Sequence, residues 1–115
     1  MRRGDLVWVD LGPMRGAESN KRRPAVVVSN DGANQVARRL GHGVVTVVPV
    51  TSNTARVYPF QVLLPARRTP LARDSKAQAE QVRSVDVERV GTLIGALPPD
   101  LVERLDAALR LHLGL

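Results

Sequence analysis

A chain of 115 residues with a net charge of +6, from 17 Lys and Arg against 11 Asp and Glu, has the size of one domain around one core, spanning 1–115. It contains no Cys, which excludes disulfides and thiolate-bound metal and permits a reducing compartment. His42 and His112 are its only imidazoles and have no second histidine near them, so neither a histidine metal site nor paired-imidazole catalysis is expected.

The positive excess lies in the first sixty residues, with nine cations against four anions. Such a field suits a polyanion, and nucleic acid is the favoured partner over an acidic protein. Residues 1–20 hold Arg2, Arg3, Asp5 and Asp10 without a continuous apolar core, unlike a signal peptide, and no apolar run is long enough to span a bilayer. No membrane association is expected, and the expected location is cytoplasmic.

Leu6-Val7-Trp8-Val9 reads as a first strand, ended by Asp10-Leu11-Gly12-Pro13. The connection from Gly12 to Arg23 is longer than a tight hairpin needs and carries Glu18-Ser19-Asn20-Lys21-Arg22-Arg23, the features of a binding loop or of a solvated basic loop. Pro24 can open a strand, and Val26-Val27-Val28 is a β-branched run of buried type. Residues 33–40 read as a loop with at most one short helix, Arg38 and Arg39 facing water. Val44 to Val50 is the strongest strand of the chain, ending in Thr51-Ser52-Asn53-Thr54, whose small donors suit an oxyanion or a base edge, or form an ordinary polar turn.

A further strand is expected over 57–64, with Phe60, Val62 and Leu64 on one face. Tyr58 and Phe60 have the chemistry to stack bases, although Phe60 is expected in the core. The alternation over 74–83 fits a strand, a helix being allowed by composition. Residues 87–90 suit a helical turn and 91–97 a last short strand. From Pro99 the period changes: Leu101, Leu105, Ala108 and Leu109 recur at three- and four-residue intervals, forming the apolar stripe of a C-terminal helix.

Taken in order, Arg3-Gly4-Asp5 with Val7-Trp8-Val9-Asp10-Leu11, Gly16-Ala17-Glu18, Arg22-Arg23-Pro24-Ala25-Val26-Val27-Val28-Ser29, Val48-Pro49-Val50-Thr51-Ser52, Asp74-Ser75, Glu80-Gln81-Val82-Arg83-Ser84-Val85-Asp86 and Arg89-Val90-Gly91 resemble the MazF/PemK family of toxin endoribonucleases of bacterial toxin-antitoxin modules. The resemblance implies a mainly β fold with short helices, a small half-open SH3-like β-barrel with a C-terminal helix. It implies a homodimer that cuts single-stranded RNA, mostly messenger, sequence-specifically and without metal or other cofactor, and a cognate antitoxin that masks the basic groove. The family's essential arginine and threonine match Arg23 and Thr51, and its loop glutamate matches Glu18; Ser19 stands where members often have Gln. Gln81 and Arg83 match positions close to the RNA groove.

The chemistry of these residue types agrees. RNA carries its own nucleophile, so a nuclease has only to align the 2′-OH, accept its proton and stabilise charge on phosphorus. Arg23 suits a two-donor phosphate clamp, Thr51 adds a hydroxyl donor, and Glu18 is the candidate proton acceptor. Lys21, Arg22 and Arg83 add phosphate attraction, while Ser19, Asn20, Ser52 and Asn53 are candidates for base choice. The alternatives are a non-catalytic nucleic-acid-binding module on the same small barrel and a gyrase-directed toxin of the same fold.

Overall fold

In a computed structural model, residues 1–12 and 22–115 are described. Their order is β1 (Asp5–Asp10), β2 (Arg22–Val27), α1 (Asp31–Leu40), β3 (Val44–Thr51), β4 (Gln61–Leu64), β5 (Ser75–Gln78), β6 (Arg83–Asp86), β7 (Val90–Ala96) and α2 (Pro99–Leu113). All pairings are antiparallel, and the sheet runs β4-β5-β3-β2-β1-β7 with β6 attached to β3. The ends β4 and β7 do not pair with each other, so the sheet is open, as the half-open architecture requires.

β3 is the hub. Its first half pairs with β6 through Val44–Val47, its end pairs with β5 through Val50 and Thr51, and its other edge pairs with β2. Changing partner along one long strand bends the sheet, which is how a single run of β-branched residues serves two parts of the fold.

Period-two alternation divides the apolar residues between the two faces. Leu6, Val26, Val48 and Val50 pack with Val62, Leu64 and the α2 residues Leu101, Leu105, Ala108 and Leu109. Val7, Val9, Ala25, Val27, Val45 and Val47 pack on the opposite side with Ala37 of α1, Val85 and Val87. Both sides of β2 and β3 are therefore buried, and this explains their uninterrupted valines. Leu101 and Leu105, each 1 % exposed, pin α2 to the sheet, and each burial contributes roughly 1.5–3 kcal/mol.

Three elements depart from the sequence expectations. α1 is a full helix of 10 residues rather than a loop with a short turn. Asn30 caps it by accepting from the Ala33 amide at 2.8 Å, and Gly41, at φ 72°, closes it with its amide on the Ala37 carbonyl. Buried Asn34 supplies the tertiary hold, donating to the Ser29 carbonyl at 2.9 Å. The strand expected over 57–64 contracts to β4, since residues before Gln61 form a turn; Phe60 is only half-buried and stacks on Tyr58. Residues 74–83 split into β5 and a 3-10 turn at Ala79–Gln81, after which β6 moves to the other half of β3.

Candidate active site

The register of β2 on β3 decides which residues meet. Ala25 faces Pro49, Val26 faces Val48 and Val27 faces Val47. Continued by two residues, that antiparallel register brings the start of β2 to the end of β3, with position 23 opposite position 51. Arg23 and Thr51 duly line one cavity of about 490 Å³, together with Trp8, Pro24, Ser52 and the segment around Pro70 to Ser75. Residues 28 apart in sequence are thus brought together by two strands whose valines are held on both faces.

The Thr51 hydroxyl is oriented by the turn that follows it. Its Oγ1 accepts the Asn53 amide at 3.2 Å, which leaves the O–H available as a donor. Asn53 Oδ1 accepts the Ala55 amide at 3.2 Å, so this side chain shapes the turn through its oxygen and has its NH₂ donors to offer a ligand. Ser52 is exposed at the cavity wall. The combination of a guanidinium, a hydroxyl donor and an open mouth is suited to a tetrahedral or trigonal-bipyramidal oxyanion.

The remaining sequence candidates are spread out. Glu18, Ser19, Asn20 and Lys21 lie outside the described residues. Arg22 belongs to a second cavity of about 570 Å³ with Arg38 and Val7, its guanidinium packed against Gly91 of β7 where any Cβ would collide with Nη2. Arg22 and Arg23 are therefore separated although adjacent, because β2 begins at Arg22 instead of after the basic run. Arg83 stands opposite Val47 on β6, with its guanidinium donating to the Leu11 carbonyl at 3.4 Å, and Gln81 is exposed at the 3-10 turn before it. Neither lines the cavity of Arg23 and Thr51.

Trp8 and Arg73 line that cavity without having stood out in the sequence. Trp8 pairs with Pro24 across β1 and β2 and is 38 % exposed. The signal was the alternation Leu6-Trp8-Asp10: Leu6 on that face is fully buried, and the strand then runs out from under the core. Arg73 comes from the loop before β5, where Ser75 Oγ donates to the Arg73 carbonyl at 2.9 Å and fixes the loop against the strand. Nearby, Arg68 forks onto both carboxylate oxygens of Asp100 at 2.9 and 2.8 Å, tying this loop to the start of α2. Hydrogen bonding to Arg68 holds the Asp100 carboxyl below its ordinary range.

Among the described residues, no three His, Cys, Asp or Glu side chains cluster as a metal centre would need, and no helix is long and apolar enough to cross a membrane.

Comparison with known proteins gives these features a family. The model of PemK-like, MazF-like toxins of type II toxin-antitoxin systems matches residues 2–113. The endoribonuclease MazF9 of Mycobacterium tuberculosis is 61% identical over 115 residues, covering 100% of this chain and 98% of that one. Among solved structures, MazF from Deinococcus radiodurans superposes with a TM-score of 0.77 at 32% identity, over 100% of this chain and 97% of that chain. An endoribonuclease in complex with its cognate antitoxin from Mycobacterial species gives a TM-score of 0.77 at 26% identity, over 100% and 96%. With the family model spanning almost the whole sequence and the fold shared with the solved relatives, the chain belongs to the PemK-like, MazF-like toxins of type II toxin-antitoxin systems.

Proposed function

We propose that this chain is a sequence-specific endoribonuclease toxin, neutralised by a cognate antitoxin, that cuts single-stranded RNA by attack of the 2′-OH on the adjacent phosphorus. The observation that carries this reading is the shared cavity of Arg23 and Thr51 at the meeting of β2 and β3. The likeness to an endoribonuclease at 61% identity supports the activity, and the relative solved with its antitoxin supports the partner.

In the reaction, the bond from the 2′ oxygen to phosphorus forms as the bond to the leaving 5′ oxygen breaks, giving a 2′,3′-cyclic phosphate and, as that oxygen takes up a proton from solvent, a 5′-hydroxyl. Negative charge builds on the non-bridging oxygens in the transition state, where the fixed donors of Arg23 and the Thr51 hydroxyl are worth more than in the ground state. Arg23 clamps the phosphate, and Thr51, held by the Asn53 amide, donates one further hydrogen bond. Glu18 accepts the 2′-OH proton; five residues before Arg23, it is within chain reach of the same phosphate. Because RNA supplies the nucleophile, the reaction runs without metal. Lys21, Arg22 and Arg83 attract flanking phosphates, and Ser19, Asn20, Ser52, Asn53 and Gln81 contact bases or sugars. The chain acts as one domain, as a homodimer in the cytoplasm, with the acidic segment of the antitoxin covering the basic groove when RNA is absent.

Incubation of the purified protein with mixed-sequence RNA in excess chelator tests this. Discrete cuts ending in 2′,3′-cyclic phosphate and 5′-hydroxyl are expected; RNA left intact across several sequences by folded protein would overturn the reading.

A further inference from the structure

Tyr58 and Phe60 are the only Tyr and Phe of the chain, and both sit in the turn that leads from Thr51 to β4. Their rings stack in parallel, 1° apart, with centroids separated by 5.4 Å. Tyr58 nevertheless remains 42 % exposed, so the pair is a flat apolar surface outside the core. Arg56 stands at its edge, with Nη1 donating to the Tyr58 hydroxyl at 3.3 Å.

Two buried polar side chains hold this turn in place. Gln61, 8 % exposed, accepts the Tyr58 amide at 3.1 Å through Oε1 and donates through Nε2 to Glu80 at 2.6 Å. Lys76, also 8 % exposed, directs its ammonium at the Arg56 carbonyl, 2.6 Å away. Burying an amide and an ammonium is costly, and both are committed to fixing the backbone of a surface turn that a plain strand connection would not need fixed. Lys76 is moreover the register partner of Thr51. The residue that anchors the aromatic turn is thus the cross-strand neighbour of the hydroxyl assigned to the reactive phosphate.

We infer that Tyr58 and Phe60 form a preorganised stacking platform for an unpaired base flanking the cut, with Arg56 taking a phosphate of the same nucleotide. Gln61, Glu80 and Lys76 are positioning residues for it. The inference rests on the ribonuclease reading of the Arg23 and Thr51 site. Because stacking accepts every base, the turn adds affinity without choosing the recognised sequence.

The experiment uses the Arg23→Ala protein, which keeps RNA uncut, with single-stranded oligonucleotides carrying one 2-aminopurine at successive positions around the cleavage site. One flanking position is expected to be quenched on binding. Adding Tyr58→Leu should abolish that quench and weaken binding about 10- to 100-fold, the scale of one stacked base, with Tyr58→Trp restoring both. In the cutting-competent chain, Tyr58→Leu should raise KM by a similar factor, leave kcat at saturating RNA nearly as it was, and cut at the same sequence. A thermal melt matching the parent shows that the fold is intact. If the parent cuts RNA and Tyr58→Leu binds and quenches as it does, the platform is refuted while the active site stands. If Tyr58→Leu loses only antitoxin binding, the surface belongs to a protein partner and the inference is overturned. A parent that neither binds nor cuts RNA refutes both readings together.

Discussion

Removing the Arg23 guanidinium should separate chemistry from binding. Arg23 lines the cavity from the start of β2 and Thr51 from the end of β3, on antiparallel strands whose register, continued by two residues, brings these positions opposite each other. Loss of one preorganised donor to a developing oxyanion costs roughly 100- to 1,000-fold in kcat, or about 2.7–4 kcal/mol. Arg23 offers a fork of two, so Arg23→Ala should lower kcat by at least about 1,000-fold, with a much smaller effect on KM. Arg23→Lys keeps the charge but loses the fork and should fall between that and the parent. Thr51→Val, which preserves volume and removes the hydroxyl, should cost about 100-fold. If both donors grip one phosphoryl group, the double variant should lose less than the product of the single losses, with a coupling of about 0.5–3 kcal/mol. Single-turnover cleavage of an end-labelled oligonucleotide measures each of these rates. Single variants within about threefold of the parent, or a double loss equal to the full product, would refute the shared phosphate.

Other outcomes follow from packing and charge. At Gly95→Ala the new methyl would collide with the Pro70 ring, which lines the cavity of Arg23 and Thr51; a loss of about 1–3 kcal/mol in urea unfolding is expected, with a raised KM. Leu105→Ala opens a hole between α2 and the sheet, and should cost about 2–5 kcal/mol in the same assay while leaving the residual folded fraction active. Asp100→Asn should lower the melting temperature slightly near neutral pH. Its folded carboxyl is held below the ordinary range, so that stabilisation is present above the unfolded value and disappears as pH falls through the folded one; parent and variant melts should converge in acid.

The outline of the fold was readable because its strands are unusually continuous. The valines of β2 and β3 are apolar on both sides, and the stripe Leu101-Leu105-Ala108-Leu109 has the period of one buried helix face. What escaped was set by contacts remote in sequence or by local caps. α1 is an ordinary capped helix whose defining acceptor, Asn30, also reads as a turn residue ending a strand, and its buried Asn34 is stabilised only once Ser29 is folded beside it. The candidate site was visible as residue types, an arginine before a proline and a threonine after a strand, but their meeting at one cavity depends on the pairing of Ala25 with Pro49. The same pairing could not reveal that Arg22 would turn to a different cavity, nor that Trp8 would stand in the first one. The scarcity of rings in this chain points Phe60 to the core; in the structure it marks instead the turn where Tyr58 and Phe60 lie stacked.

Whether the Arg23 and Thr51 cavity promotes attack by the RNA's own 2′-OH can be decided with a single oligonucleotide pair. The two differ only at the nucleotide 5′ to the cut, which carries a 2′-OH in one and a 2′-hydrogen in the other. The ribonucleotide form should be cut in chelator to a 2′,3′-cyclic phosphate, and the deoxy form should bind with similar affinity and remain intact. Cleavage of the deoxy form at an unchanged rate would mean that the nucleophile is not the 2′-OH, and the mechanism would fall with it.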